Sequence, residues 1–315
     1  MRAIAISEPG AAPVPMRLPV MEPGPGEALV RLFAAGLNPA DWKIADGMLK
    51  DTVPYSFPLI LGLDGAGVVD ATGPGARFPV GEQVFGRFFG VPRGQGTYAE
   101  YTIAGADDAV VPMPEGMLYT EAAALPTAGM TALTAVEEAG IEAGSDAEVL
   151  VVGATGGVGQ PTVRLAASRG ARVVATARPD AAGRMRELGA ADVVDYGGGD
   201  LKELVRAARP DGLDAIIDLV GDRGEVERLA GLLRPGGVYV STVWAVNPDS
   251  LDARNVRGVN LDYTPTPELL ERVVGLVADG AMEITIEAEV SLEEAPAAIA
   301  RSRSGGARGK TVIRP

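Results

Sequence analysis

Apolar residues follow two rhythms along this chain, and the change of rhythm divides it. Up to Thr120 they come in short runs separated by Gly- and Pro-rich turns. Ala28 to Ala35, Gly65 to Ala71, Gln83 to Gly86, Tyr98 to Ile103 and Ala109 to Pro112 each read as a short strand, as does Met1 to Gly10. That spacing predicts a small β-rich, barrel-like domain. Glu121 to Glu138 then turns Ala-rich and helical in composition. From Glu148 strands and helices alternate. Glu148 to Gly153 is a nearly all-apolar strand, followed by a glycine-rich turn and a helix through Arg169. Arg172 to Ala177 is the next strand, with a helix ending near Gly189; Asp192 to Tyr196, Ala215 to Val220 and Val238 to Thr242 complete the series. Such alternation implies an α/β unit with a parallel sheet covered on both faces. Past Leu251 the pattern loosens into a helix over Pro267 to Asp279, a strand around Glu283 to Ala288, a short helix and a terminal strand at Thr311 to Ile313.

Composition narrows the chemistry. A length of 315 residues suffices for two packed domains. A formal net charge of -14 argues against nucleic acid as a partner, because phosphate backbones call for clustered Lys and Arg. There is no cysteine, which removes disulfides, thiolate nucleophiles and sulfur-ligated zinc. There is no histidine either, which removes a Ser-His-Asp triad, imidazole acid–base chemistry and His-ligated metals. No metal site is therefore expected. No run approaches the ~20 apolar residues of a membrane span, and the first residues lack an apolar signal core. A cytoplasmic protein without a membrane partner is the expectation.

The strongest local signal is Val149-Leu150-Val151-Val152-Gly153-Ala154-Thr155-Gly156-Gly157-Val158-Gly159, a buried strand running through glycines into a helix. Gly156 stands where backbone must approach a pyrophosphate without a Cβ, and Gly159 where helix and strand pack closely. Free N–H groups at the helix start then face the phosphate, helped by the helix dipole. Ala154 takes the place of the first glycine in the strict pattern. The context, a strand before, a helix after and a second strand ~20 residues on, separates this run from an ordinary tight turn. At the end of that second strand an acidic residue accepts from the ribose 2′-OH of NAD. This chain reads Ala175-Thr176-Ala177-Arg178 instead, with no carboxylate until Asp180. Arg178, with Arg184 as its alternate, can pair with a 2′-phosphate and favours NADPH; a solvated surface arginine is the competing reading.

Several motifs in order now carry a resemblance. They are Ala35-Gly36-Leu37-Asn38-Pro39-Ala40-Asp41, Leu61-Gly62-Leu63-Asp64-Gly65-Ala66-Gly67-Val68-Val69 and Gly96-Thr97-Tyr98-Ala99-Glu100-Tyr101. Leu125-Pro126 with Gly129-Met130-Thr131-Ala132, the glycine turn, Asp195-Tyr196, Asp218-Leu219-Val220-Gly221 and Gly309-Lys310 follow. Over nearly its whole length the chain resembles the zinc-independent quinone oxidoreductases of the medium-chain dehydrogenase/reductase superfamily. The resemblance implies a GroES-like catalytic domain from residues 1–121 and 265–315, with a Rossmann domain, residues 122–264, between them. Zinc-dependent relatives place Cys where Asn38 stands and His where Leu63 stands, so the family assignment and the missing residue types agree. The resemblance also places Asn38, Thr127 and Thr131 near the nicotinamide and its ribose. Ala154, Thr155, Gly156, Gly157, Val158 and Gly159 would meet the pyrophosphate, and Arg178 and Tyr196 would flank the 2′-phosphate. Val220, Gly221, Ser241, Thr242 and Val243 would line the rest of the groove, with Lys310 approaching from the terminal strand. Asn38 could instead cap a turn, and Tyr196 could simply pack on the surface.

One departure concerns the proton. Many relatives carry a Tyr soon after the Gly of the segment matching Asp46-Gly47-Met48-Leu49, and here Met48 and Leu49 stand there. Candidate donors are then Asp41, Lys43 and Tyr55, while Asp64 reads as a structural acid holding a loop. The expected reaction is hydride transfer from NADPH to a quinone or an α,β-unsaturated carbonyl. Two alternatives stay open. One is an enoyl reductase on a polyketide or acyl thioester, for which Arg87 and Arg93 would form the basic patch. The other is a non-catalytic NADPH-binding protein on the same scaffold. The resemblance implies a homodimer joined at the edge of the Rossmann sheet, with Val259 to Thr264 as the candidate edge and Pro265 and Pro267 ending it.

Overall fold

The computed structural model describes every residue from Met1 to Pro315, and the chain forms two compact units. Met1–Met130, Pro265–Gly275 and Ile284–Pro315 make the first, and Thr131–Thr264 with Leu276–Glu283 make the second.

In the first unit the chain lays down β1 (Arg2–Ile6), β2 (Val14–Arg17), β3 (Ala28–Gly36), α1 (Pro39–Ala45), β4 (Leu59–Ile60), β5 (Asp64–Thr72), β6 (Gln83–Arg87), β7 (Tyr101–Ala104), β8 (Ala109–Pro112) and α2 (Tyr119–Ala124). The predicted single helix over Glu121 to Glu138 is two, because Pro126 opens α3 (Pro126–Glu138) and has no N–H with which to continue the turn of α2. α2 packs on β3 and β5, which keeps this segment in the first unit. The strand expected from Tyr98 begins at Tyr101. Tyr98 itself is held by isolated backbone bonds, its N–H to Leu61 O and its carbonyl from Ile4 N, both 2.8 Å.

The second unit continues with β9 (Glu148–Val152), α4 (Gly159–Ser168), β10 (Arg172–Thr176), α5 (Ala182–Glu187), β11 (Asp192–Val194), α6 (Leu201–Ala208), β12 (Leu213–Asp218), α7 (Arg223–Leu229), β13 (Leu233–Ser241), α8 (Pro248–Asp252) and β14 (Arg257–Asn260). All neighbouring pairs in its six-stranded sheet are parallel, in the order β11-β10-β9-β12-β13-β14. The order reverses beside β9, and the crevice outside the carboxyl ends of such strands is where open α/β sheets bind ligands. β9 is buried along its whole length, as its unbroken apolar run requires.

The chain then forms α9 (Pro267–Ala278), β15 (Ile286–Ser291), α10 (Ala295–Ser304) and β16 (Lys310–Arg314). The strand expected at Glu283 to Ala288 starts later, at Ile286, where pairing with β16 begins. β16 also runs antiparallel to β3, with Val312 opposite Gly36 and Ile313 opposite Ala35. Leu37 N–H donates to Thr311 O at 2.9 Å, so the register carries on and sets Lys310 opposite Asn38. No helix is long and apolar enough to cross a membrane.

Candidate active site

That register builds the polar centre of the first unit. Lys310 is almost fully buried, and its Nζ donates to Leu37 O at 2.7 Å and to Asn38 Oδ1. The other end of the Asn38 amide donates from Nδ2 to Asp64 Oδ2 at 2.9 Å. Asp64, at the start of β5, also accepts from Thr127 N at 3.0 Å and, through Oδ1, from Thr127 Oγ1 at 2.6 Å. Asn38 sits just before α1, with Pro39 opening the helix, and its backbone N–H donates to Asp41 Oδ2 at 2.8 Å. Tyr98 OH donates to the same oxygen at 2.5 Å. Asn38 thus does belong to a helix start, yet its side chain is committed to Lys310 and Asp64.

The electrostatics follow from burial. One ammonium, Lys310, faces two buried carboxylates, Asp41 and Asp64, so one carboxylate lacks a counter-charge. Burial pushes the Asp41 carboxyl up to about 7, against the hydrogen bonds from Tyr98 and Asn38 that pull it down. Burial also lowers Lys310, opposed by Asp64 and Asp41, and holds the Tyr98 phenol well above its usual range with help from the Asp41 charge. Asp41 Oδ1 is buried without a hydrogen-bond partner. In a chain with no histidine, burial thus brings a carboxyl group, Asp41, towards neutrality.

The second unit offers a contrasting arrangement at the carboxyl ends of its strands. β9 ends in Gly153, which adopts φ +79°, and Thr176 Oγ1 of β10 accepts its N–H at 3.0 Å. Gly156 N–H donates back to Gly153 O at 3.2 Å, closing the turn. A Cβ on Gly159 would lie 2.2 Å from Gly153 O, so this glycine is required by the backbone itself. A Cβ on Gly156 would meet only Gly153 O, at 3.5 Å, and would otherwise project into open space. Gly157 and Val158 are half-buried, and their N–H groups donate to no protein acceptor. These are the donors that a phosphate at a helix start needs.

Past the ends of β10 and β11, Arg178 and Tyr196 form a pair. The guanidinium lies 5.4 Å from the ring centroid, Nε donates to the phenol oxygen at 3.3 Å, and both residues are exposed. Arg184, the alternate, is already engaged with Gln160, Glu187 and Glu283. Asp218, the last residue of β12, shapes the next loop by accepting at Oδ1 from Val220 N (3.1 Å) and Gly221 N (2.7 Å), and at Oδ2 from Tyr239 OH (2.6 Å). Thr242 N–H donates to Asp218 O at 3.0 Å, drawing the ends of β12 and β13 together around Val220, Gly221 and Ser241 to Val243.

Other expected residues have different surroundings. Tyr55 OH donates to Ile44 O at 2.8 Å and accepts from Leu49 N at 3.3 Å, so it ties a loop to α1. Lys43 lies over the Trp42 ring. Thr131 shares a hydrogen bond of 3.0 Å with Tyr263 OH in the second unit. Arg93 is paired with Glu27, and Arg87 lies 5.7 Å from the Phe89 ring centroid. Sequence reasoning missed Tyr98 and Asp218. Asp218 is a carboxylate closing the apolar strand Ala215-Ile216-Ile217, and that mismatch is a signal in the sequence; Tyr98 lies outside any strand and carries no such signal.

A Rossmann-type sheet with a phosphate-ready turn, together with a GroES-like unit, defines a nicotinamide-dependent oxidoreductase. Residues 24–115 match the alcohol dehydrogenase GroES-like domain, and residues 188–313 match the zinc-binding dehydrogenase domain. A chloroplast envelope quinone oxidoreductase homolog of Arabidopsis thaliana is 33% identical over 312 residues, covering 95% of this chain and 93% of that protein. A mitochondrial NAD(P)H oxidoreductase of Danio rerio is 31% identical over 330 residues, covering 92% and 84%. The solved quinone oxidoreductase of Coxiella burnetii superposes with a TM-score of 0.85 at 28% identity, covering 100% and 99%. The chain belongs to the quinone oxidoreductase family of the medium-chain dehydrogenase/reductase superfamily.

Zinc, named in the second domain's description, does not fit these residues. There is no Cys or His, and no group of three or more acidic side chains is arranged to hold a metal ion. The positive charge beside Asn38 and Asp64 is the Lys310 ammonium.

Proposed function

We propose that the protein reduces electron-poor conjugated acceptors, a quinone or an α,β-unsaturated carbonyl, with NADPH as reductant. The observation that carries the cofactor choice is the exposed Arg178–Tyr196 pair, where an NAD-specific site would present a carboxylate. A guanidinium matches a 2′-phosphate through two parallel hydrogen bonds, and the phenol beside it adds a donor. Gly156, Gly157 and Val158 would hold the pyrophosphate, helped by Ala154, Thr155 and Gly159, while Val220, Gly221, Ser241, Thr242 and Val243 line the adjoining groove. Asn38, Thr127, Thr131 and Lys310 would serve the nicotinamide end.

When bound, NADPH supplies a hydride. The chain's own residues orient the partners and exclude water. A conjugated acceptor takes hydride into its π system and needs no Lewis acid, which suits a donor set without metal ligands. Asp41 supports the accompanying proton. Its Oδ2 is occupied by two donors, so the neutral carboxyl carries its proton on Oδ1. Tyr55 is assigned no such role, since its hydroxyl is spent on backbone groups. We also expect a homodimer joined at β14, one of the two edges of the six-stranded sheet; this strand covers Arg257–Asn260, so it ends before the expected limit at Thr264 and Pro265, and sedimentation velocity checks the dimer.

A screen of NADPH oxidation over quinones, enones and enoyl thioesters tests the reaction. Turnover of quinones or enones is the expected result. Turnover confined to enoyl thioesters would identify an enoyl reductase, and NADPH binding without any turnover a non-catalytic binder.

A further inference from the structure

At the carboxyl end of β13 the chain makes a tight loop centred on Trp244. Trp244 adopts φ +60°, a left-handed conformation rarely taken by a bulky residue. The loop is fixed from both sides. Ser241 Oγ accepts from Val243 N and Ala245 N, each at 3.3 Å. Asn260, on the neighbouring strand β14, clasps Val246 by accepting its N–H at Oδ1 and donating from Nδ2 to its carbonyl, each at 3.0 Å. These bonds hold the backbone in a region that glycine enters freely and a bulky side chain does not.

Packing of the indole does not offset that strain. Trp244 is 61% exposed, while its neighbours Ala245 and Val246 are buried. The chain's other tryptophan, Trp42, has Lys43 and Arg303 over its ring, whereas Trp244 has no aromatic or cationic partner. Val220, 65% exposed at the end of β12, presents a second apolar side chain beyond the same strand ends. Strain of this kind persists at sites that select ligands, and the carboxyl ends of a parallel sheet are where ligands bind.

We infer that Trp244 is a specificity-determining residue whose indole face stacks on the planar ring of an electron-poor acceptor, so that ring quinones are favoured over open-chain enones. The inference rests on the proposed reductase reading and deepens it. An electron-rich indole complements an electron-poor ring, and offset stacking adds to the burial of its area. Because the loop is locked, little freedom is lost when the ring docks.

The test uses three readouts. In a Trp42→Phe background Trp244 is the sole tryptophan, and 1,4-naphthoquinone without NADPH should quench its emission saturably. In steady state, Trp244→Ala should raise the KM for 1,4-naphthoquinone about tenfold, the scale of one lost aromatic stack, with Trp244→Phe recovering most of it. The KM for 3-penten-2-one and the Kd for NADPH should stay within about twofold, on the same scale. Trp244→Gly should melt at or above the wild-type temperature, since glycine adopts φ +60° freely, while showing the same quinone defect. Equal loss for ring and open-chain acceptors, weakened NADPH binding, or a changed sedimentation coefficient would each overturn the inference, by giving the indole to the cofactor or to a second copy. If the wild type reduces neither class, the reductase reading fails, and the quenching titration still reports whether Trp244 receives a quinone.

Discussion

The polar centre of the first unit and the glycine turn of the second solve opposite problems. Around Asn38, all but one of the polar atoms are spent inside the protein: Lys310 on Leu37 and Asn38, Asn38 on Asp64, Asp64 on Thr127, and Asp41 Oδ2 on Asn38 and Tyr98. Around Gly156 the donors are left unspent, with the Gly157 and Val158 amides unpaired and Arg178 exposed. The first arrangement is a rigid support whose members depend on one another. The second is a binding surface whose groups wait for charge. Removing a group should therefore damage folding in one region and ligand affinity in the other.

The largest effect is expected at Lys310. Lys310→Met strips the only buried cation from beside Asp41 and Asp64 and should cost about 3–5 kcal/mol in urea unfolding, the scale of a broken buried pair. A double variant with Asp64→Asn should lose less than the sum of the two single changes. Additive losses would show that the cluster is not a coupled unit.

The two glycines sharpen the contrast within one turn. Gly159→Ala forces a methyl against Gly153 O and should lower stability by about 1–3 kcal/mol. Gly156→Ala has space for its methyl and should leave the melting temperature unchanged while weakening NADPH binding at least about tenfold, or ~1.4 kcal/mol. Thermal melts and NADPH titrations of both variants separate a packing glycine from a ligand glycine.

A smaller effect is expected from pH. The folded protein holds the Asp41 carboxyl near 7, above its ordinary value of 3.8, so the folded state keeps a proton that the unfolded chain releases. Stability from this group is fully present below about 3.8 and is lost as the pH rises to about 7. Asp41→Asn should flatten that slope. An unchanged slope would mean that Asp41 is ionised in the folded protein, with Lys310 shielding it.

These regions also differed in how plainly the chain announced them. The glycine turn is local: its strand, glycines and helix lie within a short stretch, and spacing alone located it. Arg178 was found the same way, at the end of the next strand. The polar centre joins residues 38, 41, 64, 98, 127 and 310, whose meeting depends on β16 pairing with β3 across almost the whole chain. Asn38 and Lys310 come from the family resemblance and Asp41 as one of three candidate proton donors, but no pattern shows that Asn38 bridges Lys310 and Asp64, or that Tyr98 closes on Asp41. Asp64 read as a structural acid, and it does hold Thr127. Proline-broken helices and displaced strand ends, as at Pro126 and Ile286, were set by tertiary pairing that a propensity reading does not contain.

The central claim is that Arg178 makes the glycine turn an NADPH site, and parallel titrations of NADPH and NADH on wild type and Arg178→Ala test it most directly. The wild type should bind NADPH more tightly, and Arg178→Ala should weaken NADPH by about tenfold or more, a charge-assisted hydrogen bond's worth, while leaving NADH unchanged. Equal affinity of the wild type for both cofactors, or equal weakening of both in the variant, would contradict it.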